Sequence, residues 1–170
     1  MKWILWSVGA LGGLVALLAA FGAMLPKEHT ATRRARYKQP PEVLFDVITG
    51  PQDWRPQVTK YELLPDREGR RVWKETDKRG DAITYEVVER AAPARYVTRI
   101  ADPKLPFGGR WVYGIRPVPG GSEVTITEEG EIYNVMFRAL AKLVFGYTSS
   151  LEAYLKALGT RFGEQVTPEG

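Results

Sequence analysis

The pattern of hydrophobic and polar positions divides the chain at Lys27. Residues 3–25 are apolar or small apart from Ser7 and carry no charge, whereas residues 27–170 alternate polar and apolar positions in short periods. A helix over residues 3–25 would rise about 34 Å, enough to cross the hydrocarbon core of a bilayer. The sequence therefore predicts an N-terminal transmembrane anchor over residues 1–26 and one folded domain over residues 27–170.

A cleaved signal peptide is the alternative for the N-terminal segment, since Ala20-Phe21-Gly22 would serve as a cleavage site. The apolar stretch is longer than a signal peptide requires, so we favour an uncleaved, single-pass anchor. Trp3 and Trp6 suit an interfacial aromatic belt. The small-residue spacing Gly9-x-x-x-Gly13 suggests a weak homodimer. The side of the membrane on which the domain lies stays open.

The folded domain begins with a strand and one or two short helices, and strands at hairpin spacing follow. Period-two alternation bounded by Gly, Pro and Asp indicates an antiparallel meander. A helix is predicted from Pro41 to Thr49, and a second short helix or a loop around Trp54. The predicted strands are residues 30–38, 58–64, 71–76, 82–90, 96–101, 110–118 and 123–132.

After residue 134 the apolar positions recur at steps of three and four, which predicts a long amphipathic helix packed on the sheet. Asn134 is the predicted N-cap, and Ser149 with Glu152 resembles a capping box, so the helix is expected to kink or restart after Gly146. The predicted fold class is α+β: a curved antiparallel sheet of about seven strands wrapped on a long C-terminal helix, with space for an internal cavity.

Composition and charge exclude several classes of function. The chain has no cysteine and a single histidine, His29, so thiolate or histidine metal sites and a Ser-His-Asp triad are not expected. Residues 27–38 carry a net charge of +4, and the chain from Gln39 onward sums to −1. This cluster suits anionic lipid headgroups, or its residues are solvated strand charges. No basic face for nucleic acid is evident, and no cofactor or metal is predicted.

Several short motifs, in their order and spacing, resemble the START-related (SRPBCC, helix-grip) superfamily, in its polyketide cyclase/dehydrase and lipid-transport branch. They are the proline-led helix from Pro40 to Val47, Asp53-Trp54-Arg55-Pro56, residues 109–113 and residues 120–130. The resemblance covers residues 30–162. It implies a hydrophobic ligand cavity between sheet and C-terminal helix and transfers no catalytic set. The transmembrane leader lies outside the family pattern.

The candidate sites follow from strand phase. A mixture of aromatic rings and a few hydroxyls suits an apolar ligand or a solid core; the predicted ligand-binding residues are Tyr85, Trp111, Tyr113, Val124, Ile126, Tyr147, Leu151, Tyr154 and Leu155. Leu105 and Phe107 lie in a Pro- and Gly-rich loop and are predicted to gate the cavity; the alternatives are insertion into the membrane and a loop tip folded back onto the sheet. Glu128, Glu129 and Glu131 form a carboxylate cluster for which the sequence offers no partner histidine.

The leading hypothesis is a membrane-anchored protein that binds or transports a lipid or another hydrophobic small molecule. It predicts an enclosed apolar cavity that opens near Leu105 and Phe107. The alternatives are a cyclase/dehydratase-type enzyme, with Glu129 or Glu131 and a tyrosine as acid and base, and a non-catalytic protein-interaction scaffold. The enzyme predicts a buried carboxylate in the cavity. The scaffold predicts a filled core and an exposed apolar patch.

Overall fold

The computed structural model describes the backbone of residues 2–170, and the side chains of residues 3, 6–7, 9–144 and 146–170. Its helices are α1 (Lys2–Met24), α2 (Pro41–Thr49), α3 (Val135–Leu140) and α4 (Ser149–Arg161), with a π-helical segment at Ala141–Phe145. Its strands are β1 (Glu28–Tyr37), β2 (Val58–Arg67), β3 (Arg70–Asp77), β4 (Ala82–Ala91), β5 (Arg95–Ile100), β6 (Phe107–Val118) and β7 (Gly121–Ile132).

The strands form one antiparallel sheet in the order β1-β7-β6-β5-β4-β3-β2. Strands β2 to β7 are joined as successive hairpins, and β1 pairs along the far edge of β7. Because side chains alternate between the faces of a strand, the register places Trp73 of β3 opposite Tyr85 of β4 on the inner face. The predicted seven-stranded α+β fold is confirmed.

The core lies on the half of the sheet that contains β1, β7 and β6. Helix α4 packs over β1 and β7, and α2 packs over β6. Leu151, Leu155 and Leu158 of α4 are fully buried. The Tyr37 hydroxyl donates a hydrogen bond of 2.9 Å to the Leu155 carbonyl, which fixes α4 to β1. The helices therefore cover one half of the inner face, and aromatic side chains line the other half.

The structure selects one alternative for each of two open helix predictions. Residues 51–57 around Trp54 form turns, so the loop and not the second helix follows α2. The C-terminal helix restarts after Gly146 as expected: α3 runs into the π-helical segment, and Gly146, at a φ of 68°, turns the chain before α4. Asn134 is the N-cap of α3, accepting hydrogen bonds from the Met136 and Phe137 amides. The N-cap of α4 is Thr148, not Ser149.

Helix α1 meets the rest of the chain through α3. Gly22 lies so close to the Val135 carbonyl that a side chain there would collide with it. Arg138 also donates a hydrogen bond of 2.8 Å to the Leu25 carbonyl. Within the stretches whose side chains are described, no helix is long and apolar enough to span a membrane. The predicted transmembrane span is not confirmed and stays a prediction.

The basic residues after α1 lie in strand β1 or next to it, and four of the five pair with carboxylates. Lys27 lies 3.0 Å from Glu131, and Arg33 lies 2.9 Å from Glu152 of α4. On the outer face of the sheet, Glu123 is buried between Arg36 and Arg116. The net positive charge of this segment is therefore partly balanced across the strands.

Candidate functional site

A cavity of about 360 Å³ lies between the uncovered half of the sheet and the segment that carries Tyr147 and Ser150. Its lining includes inward-facing residues of β3 to β7, Gln52 and Arg55 from the turns after α2, and His29 of β1. The volume lies within the range of small-molecule sites. The wall is mainly aromatic and aliphatic. Its polar side chains include two groups, one at Arg55 and Glu75 and one at His29 and Glu128, and Arg99, Arg110 and Glu131 also contribute to the lining.

The structure brings four of the nine predicted ligand-binding residues to the cavity wall: Tyr85, Trp111, Tyr113 and Tyr147. The other five are packed in the core between α4 and the sheet and do not line the cavity: Val124 and Ile126 of β7, and Leu151, Tyr154 and Leu155 of α4. The difference follows from the position of α4, which fills the inner face of β1 and β7. Their predicted role as ligand-binding residues stays a prediction.

The inner polar group is a buried ion pair between Arg55 and Glu75, with side chains 11% and 9% exposed. The second carboxylate oxygen of Glu75 accepts a hydrogen bond of 2.9 Å from the Trp73 indole. Burial lowers the pKa of Arg55, but Glu75 and neighbouring tyrosines outweigh it, so the net shift is upward and the guanidinium stays charged. The sequence analysis missed this pair. Its one local signal is the alternation of β3, which directs Glu75 inward with Trp73.

Hydroxyl groups surround this ion pair. Tyr154 donates a hydrogen bond of 3.2 Å to the Gln52 side-chain oxygen, and the Gln52 amide donates one of 2.9 Å to the Ile48 carbonyl. Tyr85 and Thr98 also line the cavity, and no hydrogen bond joins either hydroxyl to another described residue. Burial raises the pKa of Tyr85, so its hydroxyl stays protonated at neutral pH.

The second polar group is centred on Glu128, near the outer end of the cavity. Its carboxylate lies 3.3 Å from His29 Nε2 and accepts hydrogen bonds from the Trp111 indole at 3.0 Å and the Ser150 hydroxyl at 3.3 Å. The His29 ring also stacks on Tyr147 at 4.2 Å between centroids. The expectation that Glu128 has no partner histidine is therefore wrong, because β1 pairs with β7 and brings the two together.

The other two members of the carboxylate cluster form different pairs. Glu129 lies 2.7 Å from Arg110, and Glu131 lies 3.0 Å from Lys27. All four of these side chains are more than a third exposed. The cluster is therefore split by strand alternation. Within the described residues, no group of three or more His, Asp or Glu side chains is placed to hold a metal ion.

The predicted gate loop contributes one of its two residues to the cavity. Phe107 is the first residue of β6 and not a loop residue as predicted, because it pairs with Ile132 of β7. It lines the cavity and stacks on Phe137 of α3 at 6.0 Å between ring centroids, whereas Leu105 is half-buried and lies outside the lining. Ala141 and Gly146 also line this end. The outer end therefore lies beside α3, the element that contacts α1. Whether the loop opens and closes stays a prediction.

An antiparallel sheet around a C-terminal helix, with a cavity between them, defines a helix-grip ligand-cavity fold. The family described as polyketide cyclase/dehydrase and lipid transport matches residues 28–163. The chain belongs to this family, as the resemblance in its motifs implied. The matched region begins after α1. No curated protein sequence matches the chain.

Solved structures with this fold come from several sources. A Mesorhizobium loti protein shares 16% identity at a TM-score of 0.60, over 79% of this chain and 97% of that one. Norcoclaurine synthase from Thalictrum flavum shares 12% identity at a TM-score of 0.62, over 81% of this chain and 88% of that one. The di-domain ARO/CYC protein StfQ of the steffimycin biosynthetic pathway shares 13% identity at a TM-score of 0.60, over 80% of this chain and 52% of that one. At these identities the likeness establishes the fold alone.

Proposed function

We propose that this protein binds a lipid or another hydrophobic small molecule in its internal cavity and is held at a membrane by α1. The observation that carries the proposal is the cavity of about 360 Å³ with its aromatic wall. Burying the apolar body of a ligand contributes about 25 cal/mol for each Å² removed from water. Aromatic rings give large contact areas with little loss of conformational entropy.

Membrane attachment is supported by the exposed apolar side chains of α1. Trp3, Leu17 and Met24 are 87%, 71% and 85% exposed, an unfavourable arrangement in water for so many large apolar groups. The adjoining π-helical segment exposes Leu143 and Val144 as well. An anchor here would hold the outer end of the cavity near the lipid and raise its effective concentration there.

The test uses the full chain, extracted from membranes with mild detergent and analysed by native mass spectrometry, with organic extraction of any bound molecule. We expect a co-purifying apolar molecule near one per chain. Ile83→Trp would narrow the cavity and is expected to abolish occupancy. Val88→Trp, on the exposed face of the same strand, is the matched control and should keep it.

Two results would overturn the proposal. One is an empty protein that also fails to bind a panel of fluorescent lipids. The other is equal occupancy in the two tryptophan variants, which would place the molecule outside the cavity. Anchoring is tested separately: the full chain should stay with the membrane fraction after a carbonate wash, and recovery in the supernatant would contradict it.

A cyclase/dehydratase-type activity is the second candidate, and one observation favours it. The Glu128–His29 pair lies at the cavity wall, where it could move a proton to or from a bound substrate. Glu129 and Glu131, the carboxylates expected from the sequence, are engaged in exposed ion pairs instead. If the protein is an enzyme, Glu128→Gln should abolish turnover while ligand occupancy persists. The scaffold hypothesis expected a filled core, which the cavity does not favour.

A further inference from the structure

Two hydroxyl groups at the inner end of the cavity are available to donate hydrogen bonds. Tyr85 and Thr98 line the cavity, and no hydrogen bond joins either hydroxyl to another described residue. The one carboxylate beside them, Glu75, already uses one oxygen for Arg55 and the other for Trp73. A ligand that uses both hydroxyls as donors therefore brings an acceptor.

The charge balance specifies what kind of acceptor it is. Glu75 neutralises Arg55, so the inner end holds a closed pair and no free positive charge among the described residues. A carboxylate or phosphate would be desolvated there next to Glu75 without a counter-ion of its own. An uncharged oxygen, such as that of a ketone, quinone or ester, accepts hydrogen bonds without that penalty.

The strands place Tyr85 and Thr98 near each other on the inner face of the sheet. In the β4–β5 register, Tyr85 is opposite Ile100 and Val87 is opposite Thr98, so Tyr85 and Thr98 are diagonal neighbours on the inner face. The Thr98 residue is only 5% exposed. Tyr85 is close enough to Arg55 and Glu75 for both to influence its electrostatic environment.

We infer that the ligand enters with an uncharged carbonyl-type oxygen at its buried end, which accepts hydrogen bonds from the Tyr85 and Thr98 hydroxyls beside the Arg55–Glu75 pair. This inference rests on the proposed function, which supplies the apolar body of the ligand. It specifies the chemical class of the ligand group that is buried at the inner end of the cavity. The aromatic lining alone does not distinguish between such groups.

The test compares three probes of equal chain length: decane, 2-decanone and decanoate. Each displaces the fluorophore N-phenyl-1-naphthylamine from the full chain at one detergent concentration. Each probe partitions into detergent to the same extent for every variant. The ratio of its Kd values between two variants therefore reports only the difference in binding to the cavity. We expect the ratio of the decanoate Kd to the 2-decanone Kd to be higher for the wild type than for Glu75→Gln, in which the charge of Arg55 is no longer neutralised.

The variants remove one hydroxyl at a time with little change of shape. Tyr85→Phe together with Thr98→Val should weaken 2-decanone about tenfold relative to decane, from the loss of two hydrogen bonds. The matched control is Tyr133→Phe with Thr84→Val, two positions outside the cavity lining, and should leave the ratio unchanged. Glu75→Gln frees the charge of Arg55 and should make decanoate the preferred probe.

A further readout does not depend on any substitution. The carbonyl stretch of isotope-labelled 2-decanone should shift to lower wavenumber on binding, because hydrogen bonding weakens the bond. Equal binding of all three probes, with no carbonyl shift and no effect of the double variant, would overturn the inference and leave the proposed function intact. Failure of every probe to displace the fluorophore would overturn both.

Discussion

Gly130 leaves the space that His29 occupies, and Gly130→Ala tests this arrangement. A Cβ atom at position 130 would lie 2.2 Å from His29 Cε1 and 3.1 Å from a Glu128 carboxylate oxygen. Such a separation is far inside contact distance, so the imidazole must rotate away. The substitution therefore breaks the His29–Glu128 hydrogen bond and the stacking of His29 on Tyr147, without moving backbone.

The magnitude follows from the two interactions that the substitution removes. The hydrogen bond contributes about 1 kcal/mol and the ring stack about 1 kcal/mol. Replacing glycine by alanine in a strand regains up to about 1 kcal/mol through the unfolded chain. The net loss is about 1–2 kcal/mol, which lowers the melting temperature of a chain of this size by roughly 2–8 °C.

The assay combines thermal unfolding with NMR of the imidazole. His29 is the only histidine in the chain, so its ring signals need no assignment. Gly130→Ala should move these signals toward those of a solvated histidine. Gly114→Ala is the matched control, because no atom lies within 4 Å of its Cβ position. Unchanged ring signals and an unchanged melting temperature in Gly130→Ala would refute this reasoning.

Three further predictions concern the sheet, the segment beside α1 and the contact between α4 and β1. Burial raises the pKa of Glu123, but two arginines outweigh it and hold the pKa below 4.5. The ionised carboxylate therefore stabilises the folded protein at neutral pH. The decrease in melting temperature caused by Glu123→Gln should be largest at neutral pH and become smaller as the pH falls below 4.5. The double variant Leu143→Ser with Val144→Ser should leave the melting temperature unchanged, because both side chains are exposed. It should slow the transfer of a bound fluorescent lipid to vesicles about tenfold, because the protein then binds the membrane more weakly. Equal transfer rates for the variant and the wild type would contradict this prediction. Tyr37→Phe removes the donor to Leu155 and should cost about 1 kcal/mol in urea unfolding, whereas an unchanged midpoint would show that the bond is not stabilising.

The strands could be predicted from the sequence because half-buried strands impose period-two alternation. The largest error at a strand start falls at β6, which begins at Phe107 and not at residue 110. The segment missed is residues 107–109. Two of its three residues are Gly108 and Gly109, which lack side chains to show the alternation, yet they pair with Glu131 and Gly130. Glycine here permits close approach, since a Cβ on Gly109 would lie 2.3 Å from the Glu129 carbonyl oxygen.

The polar groups of the cavity could not be predicted in the same way. Arg55 and Glu75 are twenty residues apart, and His29 and Glu128 ninety-nine apart. Neither separation has a local periodicity, because the pairs form only when the sheet register and the turns after α2 are fixed. The aromatic lining was partly predictable, since Tyr85, Trp111 and Tyr113 alternate along their own strands.

The interruption of the C-terminal helix explains why the protein has a cavity at all. At 1.5 Å per residue, the 13 residues of α4 span about 20 Å, whereas seven strands about 4.8 Å apart extend about 29 Å from edge to edge. Even laid across the strands, α4 cannot cover the whole inner face. An unbroken helix from Asn134 would cover more of it. Instead, the turn at Gly146 leaves Trp73 and Tyr85 facing the cavity, while α3 contacts α1. The same break therefore leaves space for a ligand and brings the outer end of that space beside the apolar helix.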